Sequence, residues 1–242
     1  MDANVMPYLN RLASTYGLAT QYYANTHPSI GNYFMLSTGQ IITNDDGFTG
    51  TVSADNVVRE LLAAGKTWKS YAESLPSVGY TGGDSNPYVL HHNPLAYFSD
   101  VRNDSTQRQN LVPFGQFASD LANNQLPNFS FVVPNMLNDA HDGSLQIADQ
   151  WLQNNIDPLF SNAAFQQDGL LIIVWDEAEE SDGAGGGGHV SLVVAGPKAK
   201  SGYRSSVFYQ HQSLLRLVLG TLGVSNFPGA SANAADMSEF LR

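Results

Sequence analysis

With 242 residues, 22 Asp and Glu, 11 Lys and Arg and no cysteine, the chain is sized for one α/β domain with a substantial core. Its acidic balance provides no basic stripe to neutralise phosphates, which argues against nucleic acid as a partner. Disulfides and thiolate metal sites are excluded, a composition that fits an oxidising compartment. No stretch reaches the length of a membrane span and no signal peptide is visible at Met1. A secreted or periplasmic location is expected, with the leader absent from this chain, and a cytoplasmic one stays open.

Apolar residues at Met6, Leu9, Leu12, Ala13 and Tyr16 predict a first helix, stopped by Gly17. A β-prone run over 19–24 leads through Asn25-Thr26-His27-Pro28-Ser29 into a helix from Ile30 to about Thr38. Asn44-Asp45-Asp46-Gly47 is turn chemistry; it does not continue as an EF-hand and predicts a surface turn. A helix over 55–64, N-capped by Ser53, and a strand over 67–72 follow. Residues 76–112, rich in Pro, Gly, Asn and Asp, predict a long excursion over the active-site face.

Next come a helix over 113–123, a strand over 128–133, a helix within 147–165, strands over 170–175 and 190–195, and an apolar helix over 209–222. The tail over 228–236 predicts loose packing. No repeat or linker divides the chain, so residues 1–242 read as one domain. Alternating strands and helices predict a mostly parallel sheet covered on both faces.

Two segments carry the chemistry. The turn before Ile30 places Ser29 near the first turn of a helix, where free N–H groups and the helix dipole favour an anion. A hydroxyl held there, two residues after His27, suits a nucleophile for a phosphoryl or acyl group. The plainer alternative is that Thr26 or Ser29 is only an N-cap. Downstream, Leu170-Leu171-Ile172-Ile173-Val174 closed by Trp175-Asp176-Glu177 reads as a buried parallel strand with acids at its carboxyl end, where open α/β sheets bind ligands. Adjacent carboxylates there suit a metal. Gly183-Ala184-Gly185-Gly186-Gly187-Gly188 before His189 reads either as close backbone approach to a ligand or as a flexible loop.

The remaining histidines stand at loops or strand ends beside Asp or Asn: His91 and His92 before Asn93, and His141 between Asp139 and Asp142. Such neighbours can fix a tautomer and tune a general acid or a phosphate-binding cation. His211 starts the last long helix, where a helix-terminal hydrogen bond explains it equally well.

These segments resemble the phosphoesterase family of bacterial acid phosphatases and phospholipase C enzymes, within the alkaline phosphatase-like superfamily. The matching runs are Met6-Pro7-Tyr8-Leu9, Thr26 to Tyr33, Pro134 to Asp142, Trp175-Asp176-Glu177, Gly188-His189-Val190 and Tyr209 to Leu215, in the family's order over nearly the whole chain. The resemblance implies a three-layer αβα sandwich that hydrolyses phosphate esters, monoesters first, through a phosphoserine at Ser29. It implies one divalent metal held by Asp176, Glu177 and Ser29. An all-oxygen set favours Mg²⁺, Ca²⁺ or Mn²⁺ over Zn²⁺. His141 would be catalytic with Ser29, while His91, His92, His27, Asn32 and His189 would contact a small phosphorylated substrate. Activity at acidic pH would need a protonated histidine.

Two departures are visible. The family often has two aspartates where Asp176 and Glu177 stand. It also usually begins with an apolar strand, central in its sheet, that ends in a Glu-Asn pair of metal ligands; this chain begins at Met1-Asp2-Ala3-Asn4 without one. Two further readings follow: a family member that binds phosphorylated ligands without turnover, and a metal-free serine esterase. The second lacks the Gly-x-Ser-x-Gly elbow.

Overall fold

The computed structural model describes residues 3–242, so the reading at Met1 and Asp2 lies outside the described residues. Helix α1 (Pro7–Thr15) starts at a proline, whose missing N–H would have had no helical partner there, and Met6 supplies no side-chain cap. The cap comes from far along the chain. Buried Asp149 accepts the N–H groups of Tyr8 and Leu9 at 2.9 and 2.8 Å, which ties α1 to the helix bearing Asp149.

The strands are β1 (Gly17–Ala19), β2 (Tyr22–Tyr23), β3 (Trp68–Ala72), β4 (Leu111–Pro113), β5 (Phe129–Val133), β6 (Leu171–Val174), β7 (Leu192–Ala195), β8 (Tyr203–Ser205) and β9 (Tyr209–Gln210). The further helices are α2 (Ser29–Thr38), α3 (Val57–Ala63), α4 (Ser99–Arg102), α5 (Ser105–Arg108), α6 (Gly115–Ala122), α7 (Leu145–Ile156), α8 (Phe165–Asp168) and α9 (His211–Thr221). One sheet has the order β4-β3-β5 and is all parallel, with Ser70 opposite both Leu111 and Phe131. The second has the order β6-β7-β1-β8; β7 is antiparallel to both neighbours and β1 is parallel to β8. A short parallel pair joins β2 and β9.

Both sheets share the same helical layers. On one face, Trp151 and Leu152 of α7 belong to a core that takes in Tyr71 of β3 and Ile173 of β6. On the other, α9 sends Leu215 and Leu219 into the core under β3 and Leu214 and Leu217 into the core under β7. The architecture is therefore α/β, a three-layer αβα sandwich.

Several expectations change. The 19–24 run divides into β1 and β2. Ser53 does not cap α3; Asn56 does, accepting Arg59 N–H at 3.1 Å. The 76–112 excursion carries the short helices α4 and α5, buries Leu95, Ala96, Tyr97, Phe98 and Val101 fully, and ends in β4. The 228–236 tail is pinned at Pro228 and Ser231, which are buried, and by Ala230 N–H bonding Gly39 O, while most of its other residues are exposed; full burial resumes just beyond it at Met237 and Phe240. The 147–165 helix stops at Ile156, followed by a 3-10 turn over Asp157–Ser161. The strand expected over 170–175 does carry acids at its carboxyl end, but its ladder with β7 is antiparallel, and Leu171, Ile172 and Val174 are only half buried.

Candidate active site

Ser29 is the first residue of α2 and is 4% exposed. Neither Thr26 nor Ser29 is the N-cap; Pro28 occupies that position without a side-chain bond. Asp46 takes over the role, its Oδ1 accepting Ile30 N–H at 3.0 Å. The turn before the helix is held from behind by Asn32. Its Oδ1 accepts the N–H groups of Asn25 and Thr26, and its Nδ2 donates to Thr26 O at 2.7 Å. Asn32 is fully buried, so it positions this turn rather than meeting a substrate. The glycine run braces the other side. Gly187 N–H bonds Ala24 O and Gly188 O accepts Ala24 N–H. Gly186 has φ +112 and its α-carbon faces the Asn25 carbonyl so closely that a side chain would collide. The close approach is real, but it is to the chain's own serine turn.

Strand β6 delivers the acids. Ser29 Oγ donates to Glu177 Oε1 at 2.5 Å, and Glu177 Oε2 lies 2.5 Å from His27 Nδ1. His27 Nε2 donates to Asp182 O at 3.1 Å. With an acceptor at each ring nitrogen the imidazolium is favoured. Burial works against that charge, but the Asp182 carbonyl and Glu177 prevail, and the His27 pKa is raised. The order is serine, carboxylate, imidazole. A serine esterase triad requires the imidazole next to the hydroxyl, so the geometry does not match that reading.

Asp176 is half-buried, and its Oδ2, shut off from solvent, has no hydrogen-bond partner. Burial pushes its carboxyl up to about 6; the Glu177 charge adds to this, while His92 and the Ser29 hydroxyl oppose it. His211, behind it, donates from Nε2 to Asp176 O at 2.6 Å and takes the Tyr22 hydroxyl on Nδ1 at 2.9 Å. One donor and one acceptor suit the neutral ring, and burial lowers its pKa to about 4.

The third wall comes from the loops after β3 and β5. His92 is 3% exposed, stacks on Tyr33 with ring centroids 5.0 Å apart, and has Nδ1 3.2 Å from Asp139 Oδ2. That pair is close enough for charge attraction without being aligned as a hydrogen bond. Burial pulls the His92 pKa down, but Asp139, Asp176 and Asp46 raise it overall. Its neighbour His91 moves the other way, lowered by burial and by His92. His141 is exposed at the rim, 6.1 Å from His92 between ring centroids, with Nδ1 2.9 Å from Asp142 Oδ1. His189 is exposed, stacked on Tyr23 and bonded to Thr20 O.

Ser29, His27, His92, His141, Asp176 and Glu177 thus line one cavity. His189 joins them at its edge, while His91 and Asn32 stand outside the lining. Asp46 and Asp139 were missed as site residues. Asp46 read as a surface turn because its partner, Ile30 N–H, lies 16 residues away; Asp139 lay within a recognised run, and only its contact with His92 gives it a role.

The donors for a cation are the Ser29 hydroxyl and the Asp176 and Glu177 carboxylates. All are oxygens, and the unpartnered, buried Asp176 Oδ2 is the kind of atom a hard divalent ion satisfies. The residues fit such an ion. Among the described residues no group of three or more His, Asp or Glu converges at metal-binding spacing, so water or substrate oxygens would complete the shell.

A family model, Phosphoesterase family, matches residues 1–225. The chain is 34% identical over 211 residues to a probable acid phosphatase of Kluyveromyces lactis, covering 82% of this chain and 49% of that protein. It is 36% identical over 177 residues to a phosphatidylinositol-3-phosphatase of Mycobacterium tuberculosis, covering 72% and 57%. The chain thus spans about half the length of the curated relatives it matches. Among solved structures it is similar to an alkaline phosphatase superfamily protein of Vibrio parahaemolyticus, with TM-score 0.66, 12% identity, and coverage of 92% of this chain and 62% of that one. A phosphonate monoester hydrolase of Agrobacterium radiobacter gives TM-score 0.61 at 16% identity, covering 98% and 72%. Among the described residues no helix is long and apolar enough to cross a membrane. Sequence match and fold agree, and the chain belongs to the phosphoesterase family.

Proposed function

We propose that this chain hydrolyses phosphate esters, small monoesters of the acid phosphatase type first among them, with Ser29 as nucleophile. The observation that carries the reading is the buried Ser29 hydroxyl at the head of α2, bonded to Glu177 and beside the unpartnered Asp176 carboxylate. As Ser29 Oγ attacks phosphorus, its proton passes to Glu177. The Oγ–P bond forms and the bond from phosphorus to the leaving oxygen breaks. His92, whose pKa its acidic neighbours raise, balances phosphate charge when protonated, and His141 at the rim protonates the leaving oxygen. Water then releases phosphate from the serine. A divalent cation on Ser29, Asp176 and Glu177, Mg²⁺, Ca²⁺ or Mn²⁺ rather than Zn²⁺, would lower the hydroxyl pKa and screen the phosphate charge. A secreted or periplasmic setting belongs to the same reading.

The test is hydrolysis of p-nitrophenyl phosphate with chelator, and with each of the three metals, beside Ser29→Ala. Metal-dependent turnover that disappears in the alanine variant supports the proposal. Turnover that survives Ser29→Ala removes the phosphoserine. A folded chain that binds phosphate but turns nothing over points to the binding-only reading.

A further inference from the structure

The helix that presents Ser29 carries one more side chain into the cavity. Tyr33 stands one turn further along α2, and residues four apart share a helix face with about 5–6 Å between their β-carbons. Side chains on a helix lean toward its amino end, so a long one covers the turn before its own α-carbon. Asn32 shows that lean, reaching back to donate to Thr26 O. Tyr33 is the next residue round the helix, on the face of Ser29, and it lines the cavity with Ser29.

Its neighbours fix where the ring ends. The ring stacks on His92, with centroids 5.0 Å apart and planes 29° from parallel. The hydroxyl feels the charges of Asp176, Asp139, Glu177 and Asp46. These carboxylates come from the end of β6, the loop after β5 and the turn that caps α2, so the hydroxyl sits in the space those walls enclose. Among the described residues none of the four, and no other group, is its hydrogen-bond partner.

A mere shelf for His92 needs only a ring. Phenylalanine would give the same stack without setting a hydroxyl among four carboxylates, where it gains no bond from the fold. Burial and those charges push the phenol pKa well above its ordinary value, which makes the group a donor and not a base.

We propose that Tyr33 is a further catalytic residue, its hydroxyl donating a hydrogen bond to a non-bridging oxygen of the phosphoryl group as that group passes to Ser29. Negative charge is spread over those oxygens in the transition state, and a donor already held in place stabilises it without reorganisation. No proton leaves the tyrosine. The inference rests on the reading of Ser29 as nucleophile.

The experiment compares the full chain with Tyr33→Phe in Mg²⁺. It follows p-nitrophenyl phosphate kinetics across pH, calorimetric binding of inorganic phosphate and of orthovanadate, a mimic of five-coordinate phosphorus, and thermal melts. The expected result is a kcat lower by about 10²-fold and orthovanadate binding weaker by roughly tenfold or more. Tm should hold or rise, because the hydroxyl has no partner in the fold, and the basic limb that His92 gives kcat/KM should stay. Unchanged kcat and orthovanadate affinity in an active protein would overturn the proposal. A loss of kcat that brings loss of the basic limb, or a matching loss of Tm, would also overturn it, because Tyr33 would then act only through His92 or the fold. An inactive wild-type chain would be a failure of the Ser29 reading, and phosphate binding then decides the contact. Weaker binding by Tyr33→Phe upholds it; equal binding, or none by either protein, overturns it.

Discussion

Ser29 Oγ and Glu177 Oε1 lie 2.5 Å apart although 148 residues separate them in sequence. The bond joins the head of α2 to the carboxyl end of β6, and Glu177 passes the contact on to His27. A carboxylate in this position can take the serine proton directly. Glu177→Gln keeps the shape and removes the basicity. Turnover of p-nitrophenyl phosphate should fall by about 10²–10⁴-fold, with Tm little changed. Full activity in the Gln variant would show that another group accepts the proton.

His92 supplies the pH dependence. Its pKa is raised because Asp139, Asp176 and Asp46 together outweigh its burial. Its charge is therefore present at acidic pH and lost as pH rises through that raised value. The kcat/KM profile should show a basic limb above about 6.5, and His92→Gln should flatten that limb while lowering the acidic plateau. An unchanged limb in the variant would assign it elsewhere.

His211 is a stability element. Burial lowers its folded pKa to about 4, against about 6.5 in an unfolded chain. Between these values the unfolded chain binds a proton that the fold refuses. Stability is thus lost as pH falls from about 6.5 to about 4, and the loss levels off below. The full amount is about 3 kcal/mol. Urea melts of His211→Gln and wild type should converge, or cross, by that amount on acidification; Asp176 titrates in both proteins and cancels. A constant difference from pH 7.5 to pH 4 would mean that His211 is not held neutral.

Glu73, at the carboxyl end of β3, accepts Asn135 N–H, the Asn138 amide and Trp151 Nε1 at 3.0 to 3.1 Å. It thereby anchors the segment bearing Asp139 and His141. Glu73→Ala leaves those donors unpaired and should cost about 2–4 kcal/mol, while raising KM. Glu73→Gln should recover most of the stability and part of the KM. Identical kinetics in all three proteins would make the anchor purely structural.

Gly186 carries φ +112 against the Asn25 backbone. Alanine there strains the backbone and pushes on the serine turn. Gly186→Ala should lose about 1–3 kcal/mol and lower kcat, whereas Gly183→Ala, with nothing within 4 Å, should do neither. Equal behaviour of the two variants would return the glycine run to a plain loop.

Local pattern was enough for much of this molecule. The periodicity of α1, the apolar character of α9, the apolar run ending in Asp176 and Glu177, and the turn presenting Ser29 are short-range signals held by backbone geometry. Composition alone set the acidic, cysteine-free class. What the chain's linear order could not reveal is every contact made across it. Asp149 capping α1, Asp46 capping α2, Asn32 pinning the serine turn from behind, and the serine–carboxylate–imidazole order all join residues that are distant or face inward. The pairing of β6 likewise escaped its sequence, because a continuous apolar run specifies burial on two faces but says nothing of which edge is paired. Only tertiary packing, with α7 and α9 clamping two sheets side by side, decided that the segments after β5 and β6 meet in one cavity with Ser29.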